Sequence, residues 1–309
     1  METERILVIK LGAFGDFLAA SGAMAAIRAH HPNAHIVLLT RKPFAGLGEK
    51  CPFVDEVWID TAPKFWNVSG WLGLRRRLRG GHFSRVYDLQ TSDRTGFYYR
   101  LLGPGLRPPW SGIAKGCSHP HKNPNRNFMH AYESRVEQLR DAGIAKVPAA
   151  DLSWLAADIA GLGIEGDYAL LVPGSSAPNP ARRWPPGCFA ALGVKLLEQG
   201  ITPVLIGTAM DRAVLDLVLS DLPGAVDLCG RTDVPMLASL TRGAKAVVGG
   251  DTVPMHLAAI VGAPSVVLYS HVSNPALTAP KGERVAILRR PSLDQLGVDE
   301  VWTQIEEML

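Results

Sequence analysis

The stretch Ala246-Val247-Val248-Gly249-Gly250-Asp251-Thr252-Val253-Pro254-Met255-His256-Leu257-Ala258-Ala259 decides the fold class. An apolar run meets two glycines, then Asp and Thr, and a helical pattern begins. Asp251 or Thr252 can cap that helix, and Pro254 suits its first turn, where a missing N–H costs nothing. The unpaired N–H groups at such a helix start, aided by the helix dipole, favour a bound phosphate. His256 follows inside the first turns, close enough to lean toward the same ligand. Taken alone, the stretch is equally an ordinary strand-to-helix turn of an α/β sheet. Two further loops of the same kind tip the balance toward a site.

Outward from it, both halves of the chain alternate strands and helices. Strand patterns cover Arg5 to Lys10, Ala34 to Thr40, Val54 to Ile59 and Arg85 to Leu89, with helices from Phe17 to His30 and over Pro43 to Lys50. Residues 103–127, rich in Gly, Pro, Asn and His, read as loop, and His130 to Gly143 as an amphipathic helix ending in glycine. In the second half the strands are Tyr168–Val172, Thr202–Ile206, Val226–Leu228 and Ser265–Tyr269. Helices fall at Pro186–Glu198, about Asp211–Ser220, Val234–Thr241 and about Asp299–Leu309. Two successive β-α-β blocks imply two parallel sheets covered by helices. The boundary is expected in residues 145–165, giving domains 1–155 and 156–309. Ligands bind at the carboxyl ends of such strands, so the two domains are expected to face a central cleft.

At 309 residues the chain can bury two cores, and its 47% apolar and 20% charged content is that of a globular protein. The four cysteines lie far apart with no C-x-x-C pair, which argues against a zinc site or a disulfide framework and for a reducing, cytoplasmic setting. The charged start Met1–Arg5 has no apolar segment like that of a signal peptide, and no run approaches a membrane span. The formal net charge is only +3, yet residues 61–130 hold twelve Lys or Arg against Asp88 and Asp93 alone. That local excess implies an anionic partner. Within it, Phe65-Trp66-Asn67-Val68-Ser69-Gly70-Trp71 leads into Arg75, Arg76 and Arg77. Interfacial aromatics with arginines suit an anionic membrane surface or a phosphorylated, lipid-linked acceptor, and equally a solvated helix with a few core aromatics. Nucleic acid is disfavoured, because no binding motif accompanies the charge.

The first of the other loops is Lys10-Leu11-Gly12-Ala13-Phe14-Gly15-Asp16-Phe17. Gly12 and Gly15 let the backbone approach a ligand closely. The dinucleotide fingerprint G-x-G-x-x-G is absent and no acidic residue ends the second strand, which argues against nicotinamide chemistry. Asp16 is either a plain helix cap or, facing a ligand, a carboxylate able to accept a hydroxyl proton. The second loop runs from Val172 through Gly174-Ser175-Ser176 to Arg182-Arg183-Trp184-Pro185; its hydroxyls and guanidinium groups suit phosphate oxygens. After Val204–Ile206 comes Gly207-Thr208-Ala209-Met210-Asp211, where Asp211 is a ribose ligand or a helix-start carboxylate.

Together these loops resemble glycosyltransferase family 9, the lipopolysaccharide heptosyltransferases. The resemblance rests on Ile-Leu-Val-Ile-Lys-Leu-Gly-Ala-Phe-Gly-Asp near the start, on Arg182-Arg183-Trp184-Pro185 and on the Asp-Thr-x-Pro-Met-His block. It implies a GT-B fold of two Rossmann-like domains, acceptor-binding then donor-binding, with the last helix packing back on the first. It also implies inverting transfer of heptose from ADP-L-glycero-D-manno-heptose to a core-oligosaccharide acceptor on lipid A, at the cytoplasmic face of the inner membrane. Under that resemblance Asp16 is the catalytic base. Arg182 takes the place of a lysine on the donor diphosphate, and Ser175, Ser176, Asp211, Asp251, Thr252 and His256 lie around the donor. Val253 stands where the family has glycine, and Tyr269 to Pro275 replaces a phenylalanine-glycine-proline type of turn. No D-x-D triplet occurs, so neither a metal nor another cofactor is expected. The rival readings are transfer of a different sugar or to a protein hydroxyl, a sugar-nucleotide epimerase on the same fold, and a non-catalytic sugar-nucleotide binder.

Overall fold

Arg5–Ile9 is a strand of aliphatic residues without alternation, the pattern of a strand buried on both faces, and it forms β1 near the middle of a six-stranded sheet. The computed structural model describes residues 3–174 and 183–309. It divides into two units, Met1–Trp154 and Leu155–Leu309, each built on its own sheet.

In the first unit β2 (His35–Thr40), β3 (Glu56–Ile59), β4 (Arg85–Asp88), β5 (Trp110–Gly112) and β6 (His119–Pro120) join β1 in the order β3-β2-β1-β4-β5-β6. Every pairing is parallel, and β1 lies between β2 and β4 with Ile9 level with both Leu39 and Asp88. The helices are α1 (Phe14–Leu18), α2 (Ser21–His30), α3 (Ala45–Lys50), α4 (Val68–Gly80), α5 (Asp93–Leu102) and α6 (Ala131–Asp141). Two expectations need correction here. The helix expected over Phe17–His30 is two helices, separated by a turn at Ala19–Ala20. The loop expected over 103–127 contains β5 and β6, strands of three and two residues that are too short to show a period. Burial holds them: Trp110 is fully enclosed in the core formed with Leu7, Ile9, Val37 and Leu39.

The second unit repeats the plan with β7 (Tyr168–Val172), β8 (Thr202–Leu205), β9 (Val226–Asp227), β10 (Ala246–Gly250), β11 (Ser265–Tyr269) and β12 (Val285–Arg289), in the order β12-β11-β10-β7-β8-β9. Its helices are α7 (Pro186–Glu198), α8 (Arg212–Asp221), α9 (Val234–Gly243), α10 (Val253–Val261), α11 (Pro275–Thr278) and α12 (Val298–Glu306). Gly249 is required by packing, since a Cβ there would lie 2.8 Å from Val172 Cβ in β7. The last helix, α12, places its apolar face, Val301, Trp302 and Ile305, in the core of its own unit.

Counted within each unit, both sheets run 3-2-1-4-5-6. The chain therefore reverses direction across the sheet between β1 and β4, and again between β7 and β10. Such a switch point opens a crevice beyond the carboxyl ends of the two strands, because their helices depart to opposite faces. The loops singled out in the sequence follow β1, β7 and β10.

Candidate functional site

At the first switch point Lys10 directly follows β1 and is 1% exposed. An ammonium so enclosed needs partners, and it has the Asp16 carboxylate and, 3.4 Å away, Gln90 Oε1. Asp16 sits in the first turn of α1 and receives a second cation, Arg135 of α6, on its other oxygen. Arg135 is itself buried and also donates to Ala19 O at 3.4 Å. Burial pushes Asp16 up, but the charges of Lys10 and Arg135 outweigh it and hold the carboxyl below the ordinary carboxylate value. Burial lowers the Lys10 ammonium, opposed by the charge of Asp16. The result is an ionised carboxylate fixed from two sides, with its side chain still about one-third open.

Beside it, β4 ends in Asp88, wholly enclosed. Its Oδ1 accepts the N–H groups of Gln90 at 3.1 Å and Thr91 at 2.9 Å. Gln90 Oε1 accepts the Leu11 N–H at 2.9 Å, joining the β4 turn to the loop after β1. Gln138, one turn beyond Arg135 on α6, donates to Asp88 O at 2.9 Å. Gly12 has φ +135, and a Cβ there would lie 2.9 Å from the Phe44 ring. Conformation and packing therefore account for this glycine. Gly15 is buried in α1.

At the second switch point Thr252 is the N-cap of α10, but its hydroxyl donates to Gly250 O at 3.2 Å and its side chain does not cap the helix. The N-terminal N–H groups of α10 thus keep their capacity for an anion. Val253 is the first helical residue and Pro254 the second. The position needs no positive φ, so valine in place of glycine brings no backbone strain. Asp251 Oδ1 accepts the Tyr269 hydroxyl at 3.3 Å, and His256 Nε2 lies 3.6 Å from the same oxygen. Asp211 caps its own turn: Oδ2 accepts the Thr208 N–H at 2.9 Å and hydroxyl at 2.7 Å. Its carboxyl also lies against Gly174, where a Cβ would come within 2.4 Å of Cγ. The loop after β8 thereby meets the loop after β7. Ser175, Ser176 and Arg182 lie outside the described residues. Trp184 is an anchor, buried and donating from Nε1 to Leu296 O at 2.9 Å.

One crevice thus holds a clamped carboxylate, and the other a helix start that its N-cap side chain leaves open. The family model described as Glycosyltransferase family 9 (heptosyltransferase) matches residues 71–297. The chain belongs to glycosyltransferase family 9. This glycosyltransferase is 32% identical to lipopolysaccharide heptosyltransferase 2 of Salmonella typhimurium, over 92% of its own length and 88% of the relative's. Lipooligosaccharide heptosyltransferase 2 of Haemophilus influenzae is 35% identical over 36% of this chain, and that match spans about a third of the relative. Among solved structures, a family 9 glycosyl transferase from Veillonella parvula superposes with a TM-score of 0.85 at 20% identity, covering 100% and 98% of the two chains. The Escherichia coli heptosyltransferase WaaC with ADP-2-deoxy-2-fluoro heptose gives a TM-score of 0.76 at 19% identity, covering 98% and 99%. The fold is thus GT-B.

Within the glycosyltransferase, the sequence-derived residues gather unevenly. Asp16, Gly12 and Gly15 share the first switch point, and Asp251, Thr252 and His256 the second. The three consecutive arginines of α4, Arg75 to Arg77, do not act as one patch. Arg75 Nε donates to Leu101 O at 2.9 Å, closing the carboxyl end of α5. Arg77 donates to Ile59 O at 3.2 Å and lies 4.4 Å over the Trp58 ring. Arg76 is exposed, as are Phe65, Trp66 and Leu72. Sequence reasoning missed Lys10 and Arg135 as partners of Asp16. A lysine closing an otherwise aliphatic strand was the available signal for the first; Arg135, 119 residues from Asp16 along the chain, gave none.

Proposed function

We propose that this glycosyltransferase transfers heptose from ADP-L-glycero-D-manno-heptose to a lipopolysaccharide core acceptor, with inversion and without a metal ion. The observation that carries the reading is Asp16, kept ionised by Lys10 and Arg135 at the switch point of the first unit. The Salmonella relative, named a lipopolysaccharide heptosyltransferase and aligned along most of both chains, supports the substrate class.

In the proposed step an acceptor hydroxyl attacks the anomeric carbon in line as the bond from that carbon to the diphosphate breaks. The hydroxyl becomes acidic as the new C–O bond forms, and Asp16 takes its proton. ADP leaves carrying the electron pair of the broken bond. Negative charge grows on the leaving diphosphate, where the N–H groups at the start of α10 and the Arg182 guanidinium are the proposed donors. Losing one such donor typically costs about 2.7–4 kcal/mol of transition-state stabilisation. Asp211, Asp251, Thr252, His256, Ser175 and Ser176 are the proposed donor contacts.

A calorimetric panel of ADP-, UDP- and GDP-sugars tests the donor. Tightest binding of ADP-heptose is expected, and a preference for UDP or GDP compounds refutes the assignment while leaving the fold intact. Among the described residues no helix is long and apolar enough to cross a membrane. The exposed Phe65, Trp66, Leu72 and Arg76 are the proposed contact with an anionic membrane surface. Sedimentation with anionic vesicles is expected to fall on combining Trp66→Ser with Arg76→Glu, and unchanged binding would refute the contact.

A further inference from the structure

We propose that Asp88 is a positioning residue for the transfer: its buried carboxylate shapes the turn Asp88–Thr91, and through Gln90 that turn holds Lys10 on Asp16. The inference rests on Asp16 being the base. Asp88 touches no substrate in this account; it acts through two residues, each visible in a contact.

The first link is the turn. Thr91 has φ +46, a left-handed conformation that a β-branched residue avoids unless its surroundings impose it. The imposing contacts are the Gln90 and Thr91 N–H groups on Asp88 Oδ1, at 3.1 and 2.9 Å. Thr91 Oγ1 then accepts Arg126 Nη2 at 3.0 Å, so the strained residue is also held from outside the turn. The second link is Gln90. Its Oε1 accepts the Leu11 N–H at 2.9 Å and lies 3.4 Å from Lys10 Nζ, the cation paired with Asp16. Gln138 and Arg135 share a face of α6, one on Asp88 O and the other on Asp16. Asp88 and Asp16 are therefore tied together twice, once through Gln90 and Lys10 and once through α6.

The carboxylate is otherwise out of place. Oδ2 is buried and makes no hydrogen bond of ordinary geometry among the described residues, the Thr95 side chain lying close enough only to lower the carboxyl somewhat. A Cβ on Gly112 would lie 3.3 Å from Oδ2 and 3.0 Å from Asp88 Cβ, so glycine in the neighbouring strand leaves room that a larger residue would crowd. Burial pushes the Asp88 carboxyl up to about 6. A buried acid with an unsatisfied oxygen is costly to stability, which points to a role beyond folding.

The charged and titratable groups around Asp88 are Lys10 directly after β1, Arg126 beyond β6, the Cys117 thiol between β5 and β6, and, through Lys10, Asp16 of α1 and Arg135 of α6. Removing Gln90 Oε1 takes an acceptor from the buried Lys10 ammonium, weakens its hold on Asp16 and lets the Asp16 carboxyl rise. The test compares Gln90→Leu, Asp88→Ala, Asp88→Asn and Asp16→Asn in the full chain, with ADP-heptose and a heptose-deficient lipopolysaccharide core as substrates. Gln90→Leu and Asp88→Ala are expected to lower kcat on the order of 10- to 100-fold, the range for a lost hydrogen bond to a charged group. KM for the donor should hold, and the acid limb of the pH profile should move upward. The pair combined should cost no more than the worse single variant, because both break one connection. Asp88→Asn, whose amide oxygen still accepts the two N–H groups, should restore kcat to within about threefold.

Gln90→Leu and Asp88→Ala that lose thermal stability but keep kcat and the acid limb, while Asp16→Asn abolishes turnover, overturn the inference and leave the base intact. Turnover surviving in Asp16→Asn overturns both. Should Asp88→Ala fail to fold, Gln90→Leu decides the matter by the same two readouts. A carbon-13 carboxyl titration of Asp16 in wild type and Gln90→Leu checks the link without substrate: equal titration midpoints also overturn it.

Discussion

Replacing Arg135 by methionine removes one of the two cations on Asp16 and keeps an unbranched side chain of similar length on α6. An adjacent opposite charge typically lowers a carboxyl by about 1–3 pH units. Here the Asp16 side chain is 36% exposed, so solvent screens the pair and the low end of that range applies. Lys10, 1% exposed on the opposite side, remains in place. The acid limb of kcat/KM is therefore expected to move to higher pH in Arg135→Met. The assay is initial-rate ADP release from ADP-heptose with a heptose-deficient core acceptor, from pH below the ordinary carboxylate value up to neutral. The plateau should also fall, since a carboxylate held from one side is less well aimed. Stability follows the same charge. A depressed folded-state carboxyl contributes stability above its unfolded value, and that contribution is lost as pH falls through the folded value. The variant should thus lose most thermal stability at neutral pH and least in acid. An acid limb that stays where it is in wild type, with normal folding, would refute the claim that Arg135 keeps Asp16 ionised.

Asp88 runs the other way. Its carboxyl is raised from 3.8 to about 6, so its stabilising effect is full below the unfolded value and is lost as pH rises through about 6. Asp88→Asn should gain about 1.4 kcal/mol relative to wild type on going from pH 5 to pH 8, the part of a full effect of about 3 kcal/mol that is still to be lost above pH 5, and a constant difference across that range contradicts the assignment. On α4, Arg75→Ala should cost about 1 kcal/mol in denaturant unfolding because the Leu101 carbonyl loses its donor, whereas Arg76→Ala should stay within about 0.5 kcal/mol. Equal effects would mean that Arg75 is not part of the fold. Turnover should persist in excess EDTA, and its complete loss, restored by added divalent cation, would refute transfer without a metal.

The strands legible in the sequence are those buried on both faces. Tyr168–Val172 and Ser265–Tyr269 have the bounds their aliphatic runs indicate, because nothing but burial sets them. β12 escaped notice: it pairs only with β11 at the sheet edge, is partly exposed and is followed by arginines. β5 and β6 have too few residues for any period. The helix α5 follows from Ser92 and Thr95, whose reciprocal cap is a local signal that was present and not used. At the site, Asp16, Asp251 and Thr252 were legible because a strand-to-helix turn keeps its chemistry within a few residues. The clamp on Asp16 was not, because parallel topology assembles it from β1 and α6, and no local pattern encodes which face of α6 carries Arg135. The α4 arginines show the converse error. A run of like charges read as one surface is divided by the helix period, which sends Arg75 to the end of α5 and leaves Arg76 in solvent.

The central claim, that Asp16 is the base of a heptosyl transfer, is tested most directly by Asp16→Ala assayed for both turnover and donor binding. ADP-heptose should bind within about threefold of wild type, while transfer to the core acceptor falls by at least about 10²-fold, the loss expected for a general base. Full transfer by Asp16→Ala, or loss of donor binding that accounts for the whole defect, would contradict the account.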